Sequence, residues 1–293
     1  MAKHWGHWAR DLFYTFVSIT NTQSIFSRFV NVKEFLPLIT LPRYARGANI
    51  SSELAAEIIA GVPSYSSKAW THYWRDVGLK FESQGLFRAA CMSYVMGVFP
   101  KENTVWKKEI HELKRRAFAR WAESENIPFK EKFLDTPEGR VRFYWFRPND
   151  YSTPVPMTIF VNGLEGSAEE IAFTLQHLDT RSMGFACLSV PGSADYDRPM
   201  SASSEKILTH VISDLSAQPW VDPSQIGMVG FSMGAYWTFI CAKTDPRVRF
   251  SLCNGIPLFH TLSGGSGLGL NPVICEALLR IFGVYHPVQL IPI

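Results

Sequence analysis

The sequence Gly-Phe-Ser-Met-Gly at 230–234 places Ser232 between two glycines, directly after an apolar run at 226–229. The residues that follow, 235–243, are typical of a helix. A Gly-x-Ser-x-Gly motif between a strand and a helix forms a nucleophile elbow, a sharp turn that exposes the serine hydroxyl. We therefore expect Ser232 to attack a carbonyl carbon. The competing interpretation is a tight strand–helix turn whose serine only caps the helix.

A serine nucleophile needs hydrogen-bond donors for the oxyanion that forms when the carbonyl is attacked. One donor is the backbone N–H of the residue after the serine, here Met233, and the other comes from the loop after an earlier strand. The loop Asn-Gly-Leu-Glu-Gly at 162–166 follows a predicted strand at 157–161. We expect Leu164 to supply the second N–H, with Gly163 as the alternative. The competing interpretation of this loop is an ordinary strand–helix turn.

A third loop, at 190–199, leaves the carboxyl end of another predicted strand. Open α/β sheets bind their ligands at this edge. Asp195 in this loop is a candidate to line the pocket or to brace the elbow. The interpretation favoured for an aspartate in a turn is that its carboxylate bonds to its own backbone.

Strand and helix signals alternate from about residue 126 onward. Strands are predicted at 157–161, 185–190, 226–229 and 248–253, and helices at 168–178, 205–217 and 235–243. This alternation predicts an α/β fold with a mostly parallel sheet and helices on both faces. A pair of strands at 129–134 and 141–146, joined by a turn, precedes it.

The first part of the chain has helical periodicity and little strand signal. One helix is predicted to begin at Ser52, directly after a serine cap. Three further helices are predicted at 68–82, 85–98 and 101–122. We therefore expect two regions, a helical N-terminal region at 1–125 and an α/β core at 126–293.

Four motifs occur in a fixed order along the chain: the loop at 162–166, Pro-Gly-Ser-Ala-Asp at 191–195, Val-Asp-Pro at 221–223, and the elbow at 230–234. With these motifs the chain, from about Trp70 to Pro257, resembles the esterase branch of the α/β-hydrolases that includes the fermentation-respiration switch protein-like enzymes. Within that branch it is similar to dihydropseudooxynicotine hydrolase and to the fungal hydrolases that shorten polyketides in pigment biosynthesis.

The resemblance implies a serine hydrolase that cleaves an ester, or a carbon–carbon bond beside a ketone, in a polyketide-like or aromatic substrate of secondary metabolism. It implies Ser232 as the nucleophile. Glu165 matches the acid position of the loop beside the nucleophile, where it would orient the substrate or the loop. The N-terminal helices would cap the pocket and form a homodimer contact. An acyltransferase that uses the same serine is an alternative function.

The serine also needs a histidine base and an acid that orients it, and these follow the serine in the order acid, then histidine. The histidines after Ser232 are His260 and His286, and the only acid after Asp245 is Glu276. His260, just past a predicted strand, is the candidate base. Asp245 is predicted to end a helix in a turn.

The C-terminal segment at 256–293 is short for the rest of such a fold, because each further strand–helix unit takes roughly 25 residues. Its glycine-rich loop and predicted apolar helix at 272–282 resemble a cap insertion of the family. We therefore expect a chain truncated at its C-terminus, with an incomplete sheet and poor hydrolase activity. The alternative function is then a catalytically impaired homologue that acts as a binding or dimerisation protein.

Composition argues against several other classes of function. The basic residues at 107–108 and 114–116 are separated by glutamates, which is typical of a solvated helix face and not of a nucleic-acid interface. We find no cluster with metal-ligand spacing and no phosphate-binding glycine motif, so we expect no metal and no cofactor.

The chain also lacks an apolar stretch long enough to cross a bilayer, and its N-terminus does not match a signal peptide. Its five cysteines are not closely paired, which predicts free thiols in a reducing compartment. We therefore expect a soluble cytoplasmic protein, with no membrane partner, that acts on a small molecule.

Overall fold

The computed structural model of the protein describes residues 43–63, 67–99, 104–148, 152–164, 166–175, 182–193 and 195–255. Glu165, His260, His286 and the segment 256–293 lie outside the described residues. Residues 43–48 are helical. The helices with both ends in the described N-terminal residues are α1 (Ser52–Ala60), α2 (Ser67–Ser83), α3 (Phe87–Val98) and α4 (Val105–Ser124). The α/β part follows: β1 (Lys130–Thr136), β2 (Gly139–Phe146), β3 (Val155–Val161), α5 (Ala168–Leu175), β4 (Gly184–Leu188), α6 (Ser204–Ser216), β5 (Val221–Phe231), α7 (Met233–Thr244) and β6 (Val248–Asn254).

Among the described residues, the strands form a six-stranded sheet in the order β1-β2-β4-β3-β5-β6. Strands β3 to β6 run parallel to their neighbours among themselves, whereas β1 and β2 are antiparallel additions at one side. Val161 pairs with both Leu188 and Gly230, so β3, β4 and β5 end at the same edge. The predicted mostly parallel α/β sheet is therefore confirmed, and the three candidate loops leave it side by side.

The two faces of the sheet have separate cores because successive side chains of a strand point to opposite faces. On one face, Tyr144, Phe160 and Phe185 pack with α5 and the N-terminal helices. On the other, Ile159 and Met228 pack with α6 and α7. The N-terminal helices thus form a layer against the sheet and share its core. The boundary at 125–126 and the capping of the pocket by these helices remain predictions.

Helix α3 is buried from Ala89 to Val98, as expected for a helix that is apolar all round. A buried lysine of the next helix, Lys107, caps the carboxyl end of α3. The Lys107 ammonium donates to the carbonyls of Gly97 at 2.9 Å and Phe99 at 3.2 Å. A cation at this position compensates the partial negative charge of the last helical carbonyls, and it links α3 to α4.

Strand β5 begins at Val221, earlier than the strand predicted at 226–229, and it includes the Val-Asp-Pro motif at 221–223. The local turn chemistry is nevertheless present, since the Asp222 carboxylate accepts from the Ser224 N–H at 2.9 Å. The pairing of β3 with β5 changes register between Val155 and Met157, where this irregular stretch is accommodated.

Strand β6 lies at the outer edge of the sheet as far as the structure describes it. Phe250 and Leu252 on this strand are 53% and 55% exposed. None of the helices within the described ranges combines the length and hydropathy needed to cross a bilayer.

Candidate active site

Ser232 has an unusual backbone at the junction of β5 and α7. Its φ is 51° and its ψ is −121°, a combination that disfavours any residue with a Cβ atom. The Ser232 N–H donates to the Asn254 carbonyl at the end of β6 at 2.8 Å, and the Ser232 carbonyl accepts from the Ala235 N–H at 2.9 Å. These bonds hold the turn from both sides, and the residue is exposed. Strain of this kind persists where surrounding structure enforces it, as it commonly does at functional sites.

The two glycines of the motif permit close packing. A Cβ atom at Gly230 would fall within 3.0 Å of Ala235 in α7, closer than Cβ atoms approach other atoms. A Cβ atom at Gly234 would come equally close to the carbonyl oxygens of Val161 and Asn162, at the end of β3. Neither glycine has a positive φ. The residue of this turn that has a positive φ is Ser232 itself. The elbow therefore lies directly against the loop that begins at Asn162.

The Asn162 side chain holds that loop together. Its Oδ1 accepts from the Gly163 N–H at 2.8 Å, and its Nδ2 donates to the Ser167 carbonyl at 2.9 Å. The Gly163 N–H is thereby occupied, whereas the N–H of the buried residue Leu164 has no acceptor among the described residues. Met233 is the first residue of α7, so its N–H has no partner within the helix. Both N–H groups thus meet one condition for an oxyanion hole, which is that they are available to a ligand.

The structure sets Gly234, two residues after Ser232, against the carbonyls of Val161 and Asn162, and it sets the end of β6 beside Ser232. The chain continues from Asn254 toward His260, outside the described residues together with Glu165. Asp245 lies at the opposite end of α7, where its carboxylate accepts from the Arg247 N–H at 3.1 Å. Asp245 is therefore a turn residue, as expected.

Asp195 is buried, and its carboxylate bonds to side chains from other elements. Oδ1 accepts from the Arg142 guanidinium of β2, with Nε at 3.0 Å, and Oδ2 accepts from the Ser189 hydroxyl. The Asp195 carbonyl also accepts from the Arg142 N–H at 2.8 Å. The aspartate thus joins β2 to the loops after β4. Bonding to its own turn does not account for its position.

Arg142 and Asp195 belong to a buried ionic network that the sequence interpretation missed. Glu169, in the first turn of α5, is fully buried and accepts from Arg142 Nη2 at 3.0 Å. Its second oxygen lies 2.9 Å from Lys114 Nζ of α4. The Tyr144 hydroxyl donates to Glu169 at 3.0 Å. Two cations and two anions are therefore balanced inside the protein.

The assignment of the lysines of α4 to a solvated helix face was wrong for Lys107 and Lys114, which are 0% and 1% exposed. Both lie on the buried side of α4, in register with Ile110, Phe118 and Trp121. This spacing of three and four residues was the available signal. The high density of charge in the helix concealed it.

The network keeps Glu169 and Arg142 charged. Burial alone would raise the pKa of Glu169, but the charges of Lys114 and Arg142 outweigh burial and lower the pKa to about 2. Burial opposes the charge of Arg142 in the same way, and the neighbouring Asp195 and Glu169 hold its pKa well above the ordinary value. Glu169 and Arg142 are therefore fixed charges near neutral pH.

Within the described ranges, Cys91, Cys187, Cys241 and Cys253 are free thiols, as predicted. The first three are buried. Burial raises the pKa of each of these three thiols, which makes them unreactive. Within the described part of the chain, no three His, Cys, Asp or Glu side chains are grouped so that they could hold a metal ion.

Comparison with known families and proteins agrees with this geometry. The family described as esterase FrsA-like matches residues 48–272. The Esterase FrsA of Yersinia pestis (strain Pestoides F) is 20% identical over 285 residues, which cover 91% of this chain and 65% of that protein. The same values hold for the Esterase FrsA of Yersinia pseudotuberculosis serotype O:1b (strain IP 31758). The chain thus spans 65% of the length of these curated relatives.

Two solved structures share the fold over most of this chain. AbyA5 has a TM-score of 0.73 and 18% identity, and the match covers 86% of this chain and 72% of AbyA5. A 2,6-dihydroxy-pseudo-oxynicotine hydrolase has a TM-score of 0.66 and 16% identity, with 85% of this chain and 73% of that chain covered. At these identities the similarity establishes the α/β-hydrolase fold.

Proposed function

Because the chain belongs to the esterase FrsA-like family, we propose that it is a serine hydrolase whose nucleophile is Ser232. The observation that carries this proposal is the strained backbone of Ser232, with φ 51° and ψ −121°, at the start of α7. Such a conformation costs roughly 1–3 kcal/mol. A serine that only caps a helix does not need this strained backbone. A serine that exposes its hydroxyl in a sharp strand–helix turn does.

The proposed reaction is acyl transfer to the serine and then to water. Ser232 Oγ attacks the carbonyl carbon while its proton passes to a base, and the carbonyl electron pair becomes an oxyanion held by the N–H groups of Met233 and Leu164. When the oxyanion collapses, the bond to the leaving group breaks and that group takes the proton. Water then releases the acyl group and restores the serine. We propose His260 as the base and Glu165 as a group that orients the substrate or the loop.

The proposed substrate is an ester, or a ketone with a cleavable neighbouring carbon–carbon bond, in an aromatic or polyketide-like molecule of secondary metabolism, for example a pigment precursor. The shared fold of the 2,6-dihydroxy-pseudo-oxynicotine hydrolase supports an aromatic substrate by analogy. We also propose that the N-terminal helices cap the pocket and form a homodimer contact. The buried free thiols support a cytoplasmic location.

A fluorophosphonate probe tests the proposal directly, because it reacts covalently only with an activated serine. We expect stoichiometric labelling, mapped to Ser232 by peptide mass spectrometry, and no labelling of the Ser232→Ala variant. Ser224→Ala, which removes an exposed hydroxyl at the other end of β5, is the matched control and should label normally. An intact, folded protein that does not label would exclude the hydrolase and favour a binding or dimerisation protein.

Labelling does not separate hydrolysis from acyl transfer on the same serine. Product analysis with an activated aryl ester, in the presence and absence of an alcohol acceptor, makes that distinction. We expect the free acid in both cases, whereas an acyltransferase would form the ester of the added alcohol.

A further inference from the structure

The loop that carries Leu164 is attached to the rest of the protein at two adjacent residues where it enters α5. The Ala168 N–H donates to the Ser189 hydroxyl at 3.1 Å. The next residue is Glu169, whose side chain is the centre of the buried ionic network. Both attachments come directly after the loop, so they determine where its second half can lie.

These two attachments are parts of one closed ring of bonds. The Ser189 hydroxyl, which accepts from Ala168, donates to the Asp195 carboxylate. Asp195 binds Arg142, and Arg142 binds Glu169, the neighbour of Ala168. Ser189 and Glu169 are both fully buried, so water does not compete for these bonds.

The ring is also connected to the N-terminal helices. Lys114 of α4 reaches Glu169 at 2.9 Å. This contact passes from the helical layer to the first turn of α5, immediately behind the loop. Lys114 precedes Leu164 by 50 residues in the sequence, so this contact links distant parts of the chain, which is consistent with the shared core of the helices and the sheet.

We propose that Lys114, Arg142, Glu169, Asp195 and Ser189 form a positioning network that sets the Leu164 N–H at its place in the oxyanion hole. The inference rests on the proposed function and deepens it, because it gives the N-terminal helices a part in the chemical step besides covering a pocket. None of the five residues is a catalytic residue. They act on the reaction through the loop.

Stability alone does not account for the network. Replacing a buried ion pair by apolar side chains of similar volume is often neutral or stabilising, so burying four charges confers no evident gain in stability. A network of directional bonds does confer a unique geometry. The loop is then held at both ends, by Asn162 at its start and by the ring at its exit. A displacement of about 1 Å at a catalytic group can cost about a hundredfold in rate.

The sharpest test removes the single hydroxyl that joins the ion pairs to the loop. Ser189→Ala leaves the four charges paired but breaks the bond to the Ala168 N–H. Ser193→Ala is the matched control, since it makes the same change at a buried serine nearby whose hydroxyl has no hydrogen-bond partner among the described residues. Ser189→Ala loses two hydrogen bonds, one of them to a carboxylate, whereas Ser193→Ala loses none. Both should fold, with a Tm lower by roughly 5–10 °C in Ser189→Ala and unchanged in Ser193→Ala.

Three measurements are made on each variant: amide hydrogen exchange over 162–168, the second-order rate of fluorophosphonate labelling at Ser232, and kcat and KM with an activated aryl ester. In Ser189→Ala we expect exchange of the loop amides to be about tenfold faster and labelling to be about ten- to hundredfold slower. With an activated aryl ester, kcat should fall while KM changes little, because the oxyanion forms only in the transition state. Ser193→Ala should match the parent in all three.

The outcomes separate this inference from the proposed function. Parent protein that labels, with Ser189→Ala indistinguishable from Ser193→Ala in exchange and in labelling, overturns the positioning network. Parent protein that does not label overturns the hydrolase. In that case the exchange data alone decide whether the network orders the loop: faster exchange in Ser189→Ala supports the network, and unchanged exchange refutes it.

Discussion

At the scale of single residues, Ser232 combines a reactive hydroxyl with an unfavourable backbone. Three non-glycine residues have a positive φ within the described ranges, and the other two, Asn49 and Asn126, are asparagines. Asparagine tolerates this region better than serine does. The strain at Ser232 is thus concentrated at the residue that performs the proposed chemistry, as in proteins that give up stability for function.

Two substitutions at Ser232 measure this strain, because both remove the hydroxyl but only one removes the Cβ atom. We expect Ser232→Gly to be more stable than Ser232→Ala by about 1 kcal/mol, since relief of roughly 1–3 kcal/mol of strain exceeds the entropy that glycine gains in the unfolded chain. Thermal unfolding should show a Tm higher by about 2–4 °C. Equal stability of the two variants would mean that the elbow is unstrained.

Gly234 tests the contact between the elbow and the oxyanion loop. A Cβ atom there would collide with the carbonyls of Val161 and Asn162, so Gly234→Ala should push the elbow away from the loop. We expect a loss of about 1–3 kcal/mol of stability and fluorophosphonate labelling of Ser232 at least about tenfold slower.

Gly85→Ala is the control for that variant. Gly85 has a φ of 74° and open space where a Cβ atom would lie, so the substitution destabilises the protein by backbone strain alone, roughly 1–2 kcal/mol. Because Gly85 lies between α2 and α3, labelling should be unchanged. If both variants slowed labelling alike, loss of stability would explain the effect and the contact at Gly234 would not.

At the scale of elements, the loop between β3 and α5 takes its shape from one side chain. Asn162 bonds to the loop at both ends, and this occupies the Gly163 N–H while leaving that of Leu164 available. We expect Asn162→Ala to slow labelling of Ser232 by about tenfold or more while stability falls by about 1 kcal/mol. Ser167→Ala, in the same loop, removes a buried hydroxyl without a partner in the described part of the chain and should label normally. Equal labelling by both variants would contradict the role of Asn162.

Features that depend only on neighbouring residues in the chain could be predicted from the sequence. The elbow at 230–234 carries its own turn residues, and the alternation of apolar strands and helices identified a parallel sheet whose loops meet at one edge. The preference for Leu164 over Gly163 as the oxyanion donor does not follow from spacing in the same way, and it remains a prediction. It depends on which N–H the Asn162 side chain occupies, a detail of one rotamer that no spacing encodes.

The buried ionic network could not be predicted from the sequence for a different reason. Whether Lys114 faces solvent or Glu169 depends on which side of α4 meets the sheet, and that is a property of the packed molecule. Asp195 was predicted to lie at the correct edge, but its partner Arg142 comes from β2, far away in sequence. Local patterns identify where a charged residue lies along the chain. They do not identify its partner across the core.

At the scale of the whole molecule, the network joins the N-terminal helices to the sheet through charges that are almost fully buried. Lys114 comes from α4, Arg142 and Tyr144 from β2, and Glu169 from α5. Removing one member leaves a buried charge unpaired, which costs about 3–5 kcal/mol. The helical layer and the sheet should therefore unfold together in one cooperative transition.

The network also makes stability depend on acid pH. The pKa of Glu169 falls from its ordinary value of 4.5 to about 2 in the folded protein, where Lys114 and Arg142 outweigh the effect of burial. As the pH drops below about 4.5, the unfolded chain takes up this proton and the folded protein does not, so protonation favours unfolding. The contribution of Glu169 to stability is thus complete above pH 4.5 and is lost as the pH falls toward 2.

Replacing the pair tests this linkage, because Lys114→Met with Glu169→Gln leaves nothing to titrate at that site. By urea unfolding, we expect the parent to lose stability more steeply than the double variant between about pH 4.5 and pH 2. The control is Lys132→Met with Asp214→Asn, a partly exposed pair whose removal should change stability by under about 1 kcal/mol. Between pH 4.5 and 2 the control should follow the parent. If the double variant instead followed the parent over that range, the acid dependence would arise from other carboxylates, and Glu169 would not be the charge that binds the two layers.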